Sequence, residues 1–309
     1  MRLRTLDLVF DAELRGDGAM PTFWGTTLRG AFGFSLKNTV CHVSHRQCDR
    51  CILRTRCAYP VIFEGIPPDD RTFMRKYPHV PQPFVLSFDY PAPAAVRAGD
   101  RFRFGMRLFG PAADVFPFAV YAVLRMEDSG LGRHRTPFTI HTVTDGRRLL
   151  YRHGDHGIRT PTIDCIALDA RERPASRLRV RFATPTRLRV DGRLTGDMDV
   201  AAVFRALLRR FRILTYFYGE SEPDHDASAA FAQVDRARVL HCDLAWQDVP
   251  RYSSRQQDRM SLGGFVGHMD LELPPGELGQ WFAIAERIHI GKATSFGFGR
   301  IICEELTHE

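Results

Sequence analysis

Four cysteines, Cys41, Cys48, Cys51 and Cys57, crowd into one stretch with the spacing C-x6-C-x2-C-x5-C. A close thiol pair flanked by two further thiols is a pattern that closes a tetrahedral zinc site. Four thiolates hold an iron–sulfur cluster equally well, and spacing does not choose between them. A four-thiolate zinc has no open position for water, so the expected metal is structural and not catalytic; His42 or His45 in place of one thiolate is the alternative. The N-terminal residues MRLRTLDLVF alternate polar with apolar and do not form a secretion signal. The chain therefore reads as cytoplasmic and membrane-free, and the cysteine cluster as metal-binding in preference to disulfide-bonded. Cys165, Cys242 and Cys303 stand alone and read as small apolar residues. Arg46, Arg50, Arg54 and Arg56 interleave with the clustered thiols, so a metal knuckle here would also present charge to nucleic acid.

A second stretch with chemical content, Gly291 to Arg300, reads GKATSFGFGR. Gly291, Gly297 and Gly299 permit backbone dihedrals closed to other residues and remove side chains that would hold a polyanion away. Bare backbone N–H groups, Lys292, Ser295 and Arg300 would then meet phosphates together, and Phe296 or Phe298 would stack on a base. The competing reading is a helix-to-strand turn that needs glycine only for its shape. A GxxxxGKS nucleotide loop is excluded, because the lysine precedes the paired glycines and no helix follows them.

Of the 43 basic residues only Lys37, Lys76 and Lys292 are lysine, in a chain of formal charge +7. Arginine grips phosphate with a planar fork and stacks on bases, so the balance points to an anionic partner, although codon bias produces the same skew. At 309 residues, 44% of them hydrophobic, the chain exceeds one core of about 100 to 150 residues and can fill two.

The elements that must carry these residues repeat. An alternating strand over residues 3–10 is followed by a helix over 22–38 weakened by Gly25, Gly30 and Gly33, strands at 82–90 and 101–110, a helix over 116–127 and a strand at 136–144. Residues 152–176 are polar and aperiodic, a linker. The order then recurs: a strand at 177–185, an amphipathic helix over 199–218 with Arg205, Arg209, Arg210 and Arg212 on its polar side, strands at 237–246 and 267–273, a helix over 277–288 and a strand at 300–303. Each half is a βαββαβ unit, which predicts an α+β protein of two tandem ferredoxin-like domains. Their bounds are 1–151, with a cysteine-rich insertion at about 41–60, and 177–309, with the glycine-rich loop at 291–300. Gly130, Gly132 and Arg133, in GLGR, occupy the slot in the first half that GFGR occupies in the second.

With Leu28 to Gly33 (LRGAFG), Cys57 to Pro60 (CAYP), Ile288 to Lys292 (IHIGK) and Phe296 to Arg300 (FGFGR) on this frame, the chain resembles the RAMP superfamily of CRISPR-associated proteins. Within it, the chain is most similar to the endoribonuclease that processes repeat RNA. Pro250 to Gln256 and Gly263 to Gly267 fit the same resemblance, which spans nearly the whole chain. It implies cleavage of precursor CRISPR RNA within its repeats without a catalytic metal: a 2′-hydroxyl attacks the adjacent phosphate and leaves a 2′,3′-cyclic phosphate and a 5′-hydroxyl. It implies a histidine just beyond the first helix, His45 ahead of His42, as proton-transfer residue, with His289 as rival. Lys37, Arg29 or Arg46 would stabilise the phosphorane, because the tyrosine that some members carry on the first helix is missing between Thr22 and Asn38. Repeat or guide RNA is the implied partner, alongside other interference-complex subunits. Two alternatives stand beside this reading: a non-catalytic RAMP subunit that binds guide RNA, and a zinc-containing RNA-binding module outside CRISPR systems.

Overall fold

The computed structural model describes residues 2–43, 47–77, 79–168, 174, 176–190, 193–194, 199–220, 226–253 and 258–306. Contacts divide the chain into two compact units, Leu3–Cys165 with Phe217–Glu220, and Met1–Arg2 with Ile166–Tyr216 and Ser221–Glu309. The stretch 152–176 includes a short strand, Asp164–Ala167, that pairs with the first strand of the chain.

In the first unit the chain runs β1 (Arg2–Leu14), α1 (Gly25–Val40), β2 (Phe84–Phe88), β3 (Arg101–Phe109), α2 (Phe116–Leu124), β4 (Phe138–Thr144), with β5 (Leu149–Arg152) and β6 (Asp164–Ala167) added after it. The sheet order is β2-β3-β1-β4-β5, with β6 also on β1. In the second unit the order of elements is β7 (Ser176–Thr186), α3 (Val200–Tyr218), a short α4 (Ser228–Val234), β8 (Arg238–Ser253), β9 (Asp258–Leu273), α5 (Leu278–Ile288) and β10 (Ile301–Glu305). Its sheet is β8-β9-β7-β10. In both units the first strand is central and lies between the third and fourth strands of its βαββαβ set. The architecture is therefore a duplicated ferredoxin-like fold, α+β throughout.

Alternation in the sequence places the cores. Along β1, Leu6, Leu8, Phe10, Ala12 and Leu14 are buried, while Asp7, Asp11 and Glu13 alternate with them on the other face. α1 buries Leu28, Phe32 and Leu36, and Ser35 Oγ donates 2.6 Å to the Ala122 carbonyl of α2, so the two helices are tied by a buried polar contact as well as by packing. α3 buries Val203, Phe204, Leu207, Phe211 and Leu214, with Phe204 and Phe211 both edge-on to Trp281 of α5. Arg210 corrects the sequence reading: it does not lie on the polar face of α3 with Arg205, Arg209 and Arg212 but is 5% exposed, with its Nε 3.4 Å from the Ile288 carbonyl at the end of α5. A cation there meets the negative end of the neighbouring helix. No helix among the described residues is long and apolar enough to cross a membrane.

The polar face of each sheet carries a ladder of cross-strand ion pairs. In the first, Asp7, Asp11 and Glu13 of β1 stand opposite Arg107, Arg103 and Arg101 of β3; Arg103 Nε lies 2.7 Å from Asp11, and Arg107 grips Asp7 with two nitrogens. In the second the signs are exchanged: Arg177 and Arg179 of β7 face Glu272 and Asp270 of β9. Arg179 holds Asp270 in a two-bond fork of 2.7 and 2.8 Å. That fork, despite the opposing effect of burial and with smaller help from His268 and His241, holds the Asp270 carboxyl below the usual carboxylate range. Such a group stabilises the fold above its unfolded pKa of about 3.9 and loses its contribution as pH falls through the lower folded value. Asp270→Asn is therefore expected to cost about 1 kcal/mol at pH 6, and the difference from wild type to fade as denaturant titrations are repeated below about pH 4. A difference that grows on acidification would contradict this account of the fork.

Candidate functional site

In the first unit, α1 presents Arg29, Gly33 and Lys37 at four-residue spacing, which puts them on one helical face. Against that face lies an aromatic ledge contributed by the segment that follows the cysteines. Tyr59 and Phe63, four residues apart across the π-helical turn Pro60–Glu64, stack at 5.4 Å between centroids. The Arg29 guanidinium sits 4.3 Å from the Phe63 centroid and Lys37 Nζ sits 4.9 Å from that of Tyr59, so each cation is held over its own ring. Gly33 makes the approach possible, because a Cβ there would stand 2.2 Å from the tip of the Phe63 ring. Phe63 also stacks on Phe84 at the start of β2, which fixes the ledge to the sheet.

The end of α1 leads directly into the thiols. The Cys41 N–H donates 2.9 Å to the Lys37 carbonyl, and His42, the next residue, is exposed. His42 lines a cavity together with Cys41, Cys48, Cys51, Cys57 and Tyr59. Lys37 is close enough to favour the thiolate of Cys48, although burial, the largest influence, pushes that thiol up. His45 and Arg46 lie outside the described residues. The structure thus brings His42 together with the four clustered cysteines, all of them free thiols, near Lys37 at the end of α1, while Arg29 lies two helical turns earlier, over Phe63.

In the second unit the glycine-rich stretch is a loop laced to the end of β7. The Ile290 N–H donates to the Gly299 carbonyl at 2.9 Å, Lys292 N–H to Arg187 at 3.0 Å and Gly299 N–H to Pro185 at 3.1 Å. The Thr184 hydroxyl donates 2.7 Å to the Gly297 carbonyl and accepts from the Arg300 N–H at 2.9 Å. Gly299, at φ +71°, runs so close to the Ile290 carbonyl that a Cβ would stand 1.9 Å from it. Ser295, Gly297, Phe298 and Gly299 are buried by this lacing, while Lys292 is exposed and Gly291, Phe296 and Arg300 are partly so. His289 is 2% exposed at φ 55°, with Nδ1 3.2 Å from the Phe298 carbonyl, a geometry in which the ring holds the loop's shape. Gly130 to Arg133 occupies the corresponding slot of the first unit as a tighter turn, closed by paired backbone bonds between Leu131 and Thr136 of 2.9 and 2.8 Å. Gly130 and Gly132 have positive φ there, and Arg133 is exposed.

Sequence reasoning missed the Tyr59–Phe63 ledge and Thr184. The four-residue spacing of the two rings, with a glycine on a helix that carries two cations, is the signal that was available. The ledge is testable on stability alone. Gly33→Ala is expected to displace Phe63 and cost about 1–3 kcal/mol. Gly30→Ala, which meets nothing within 4 Å, is expected to stabilise the chain by roughly 0.5–1 kcal/mol through helix propensity. Equal effects at both positions in urea denaturation would refute the assigned contact.

Comparison with known proteins follows the same division. The family model AF_1859_N, an N-terminal domain, matches residues 3–163, and the model of the CRISPR-associated endoribonuclease Cas6 matches residues 180–301. A solved Cas6 product complex is similar over 97% of this chain and 100% of its own, at 18% identity and a TM-score of 0.56. Thermus thermophilus Cas6 is similar over 98% and 99%, at 16% identity and 0.53. A RAMP protein solved binding different RNA substrates is similar over 97% and 100%, at 10% identity and 0.50. At these identities the likeness is one of fold. No curated protein sequence matches the chain.

Proposed function

We propose, from the Cas6 endoribonuclease model that matches residues 180–301 and from the fold shared with solved Cas6 proteins, that the chain binds precursor CRISPR RNA and cuts it within each repeat by internal transesterification, with no metal in the reaction. The 2′-oxygen forms a bond to the adjacent phosphorus as the bond to the 5′-oxygen breaks. A base takes the 2′-hydroxyl proton, an acid delivers a proton to the leaving oxygen, and the products are a 2′,3′-cyclic phosphate and a 5′-hydroxyl. The observation that carries this reading is the basic face of α1. Arg29 and Lys37 are held over Phe63 and Tyr59, so two cations are positioned before RNA arrives, next to the segment that bears His42 and His45. Fixed charge aimed at a phosphorane costs no reorganisation in the transition state. His45 is assigned the proton transfer, and His42 second, because His42 shares its cavity with the thiols. Lys292, exposed on the laced loop, holds the RNA backbone; Arg300 and the turn at Gly130 to Arg133 serve in the same way.

Incubation of the protein with a 5′-labelled repeat RNA in excess EDTA should give one cut, abolished by a 2′-deoxy substitution at the cleaved nucleotide. His45→Ala should lower the single-turnover rate by about 10²–10⁴ and leave RNA binding intact. Tight binding with no product from the wild type would favour the non-catalytic guide-RNA subunit instead.

The loop is tested separately. Lys292→Ala should weaken RNA affinity and reduce the slope of log affinity against log salt by about 1, as expected for one lost phosphate contact. An unchanged affinity and slope would return the loop to a purely structural role.

A further inference from the structure

Between α1 and the turn at Pro60, the described residues form no named helix or strand. Among its described residues, 41–43 and 47–57, not one side chain is buried: Ile52 is 95% exposed and Leu53 51%. Apolar packing therefore does not hold these residues in place, and a stretch without a core has little to set against the loss of chain entropy. What does converge is sulfur. Cys41, Cys48, Cys51 and Cys57 all line one cavity of about 80 Å³.

Each thiol reaches that cavity from an anchored piece of backbone. Cys41 is tied to the last turn of α1 through the Lys37 carbonyl, and Cys48 and Cys51 close a turn in which the Cys51 N–H donates to the Cys48 carbonyl at 3.3 Å. Cys57 is held from both sides, its N–H donating to the Leu53 carbonyl at 2.8 Å and its carbonyl accepting from Val61 at 3.2 Å.

We propose that Cys41, Cys48, Cys51 and Cys57 bind one thiophilic divalent cation of the zinc class as a closed four-thiolate site, which holds residues 41–57 against the end of α1. Among the described residues no three His, Cys, Asp or Glu side chains already form a cage, so the cation draws the thiols together as it binds, in the manner of sites whose assembly is coupled to ordering of the chain. Four sulfur ligands leave no exchangeable position, which makes the ion a fastener and leaves His42 outside the coordination sphere. The site stands independently of the RNA-cleavage reading.

Full-length protein stripped with a chelator and titrated with Co²⁺ reads the site directly. The expected result is saturation near one equivalent, the intense visible bands of tetrahedral cobalt with a sulfur-to-metal charge-transfer band, and displacement by Zn²⁺. Cys48→Ser and Cys57→Ser should lose these bands, while His42→Ala, Cys165→Ser and Cys303→Ser keep them. Limited proteolysis of the wild type, which does not depend on any variant folding, should show cleavage within residues 41–57 slowed about tenfold or more by Zn²⁺. Absence of the bands, their persistence in both serine variants, their loss in His42→Ala, unchanged proteolysis, or iron with acid-labile sulfide in the isolated protein would each overturn the assignment.

Discussion

The first unit is organised around one contact that tolerates no additional atom: the tip of the Phe63 ring against the bare backbone of Gly33. Because α1 is bare there, the ring can lie within reach of Arg29, stack on Tyr59 and reach Phe84 at the edge of the sheet. The two cations of α1 thereby lie against aromatic faces, which attract cations. Holding a cation over a ring keeps its charge available.

The second unit reaches a comparable end by different means. The glycine-rich loop is fastened by hydrogen bonds to the last residues of β7, with Thr184 acting as donor to Gly297 and acceptor from Arg300. Glycine is required at 291 and 299 because carbonyls of Arg187 and Ile290 occupy the space a Cβ would take. The loop is thus two layers. A buried layer of Thr294, Ser295, Gly297, Phe298 and Gly299 fixes its shape, and an outer layer that includes Lys292 faces solvent.

The sequence alone was a good guide wherever period decided the outcome. Alternation located both central strands, the apolar positions of α1 and α3 located both helices, and the element order yielded the duplicated fold. It was a poorer guide where a contact spans distant residues. Nothing local to Gly33 marks Phe63 as its neighbour, 30 positions away across a segment with no periodicity. Arg210 was assigned to the polar face with its neighbours Arg209 and Arg212, yet it sits at the margin of the apolar face, where the end of α5 covers it. Within the glycine loop, side-chain type suggested that Ser295 faces outward; the lacing to β7 turns it in.

The paired ladders on the two sheets bear on how an approaching polyanion senses this chain. Arg101, Arg103 and Arg107 on one sheet and Arg177 and Arg179 on the other each have a carboxylate facing them across the strands, so these arginines contribute dipoles and little net field beyond a Debye length of about 8 Å. Lys37, over the Tyr59 ring, belongs to neither ladder. Five of the forty arginines thus stand against the protein's own carboxylates. An anion that approaches these strands therefore meets less net charge than their arginine content suggests.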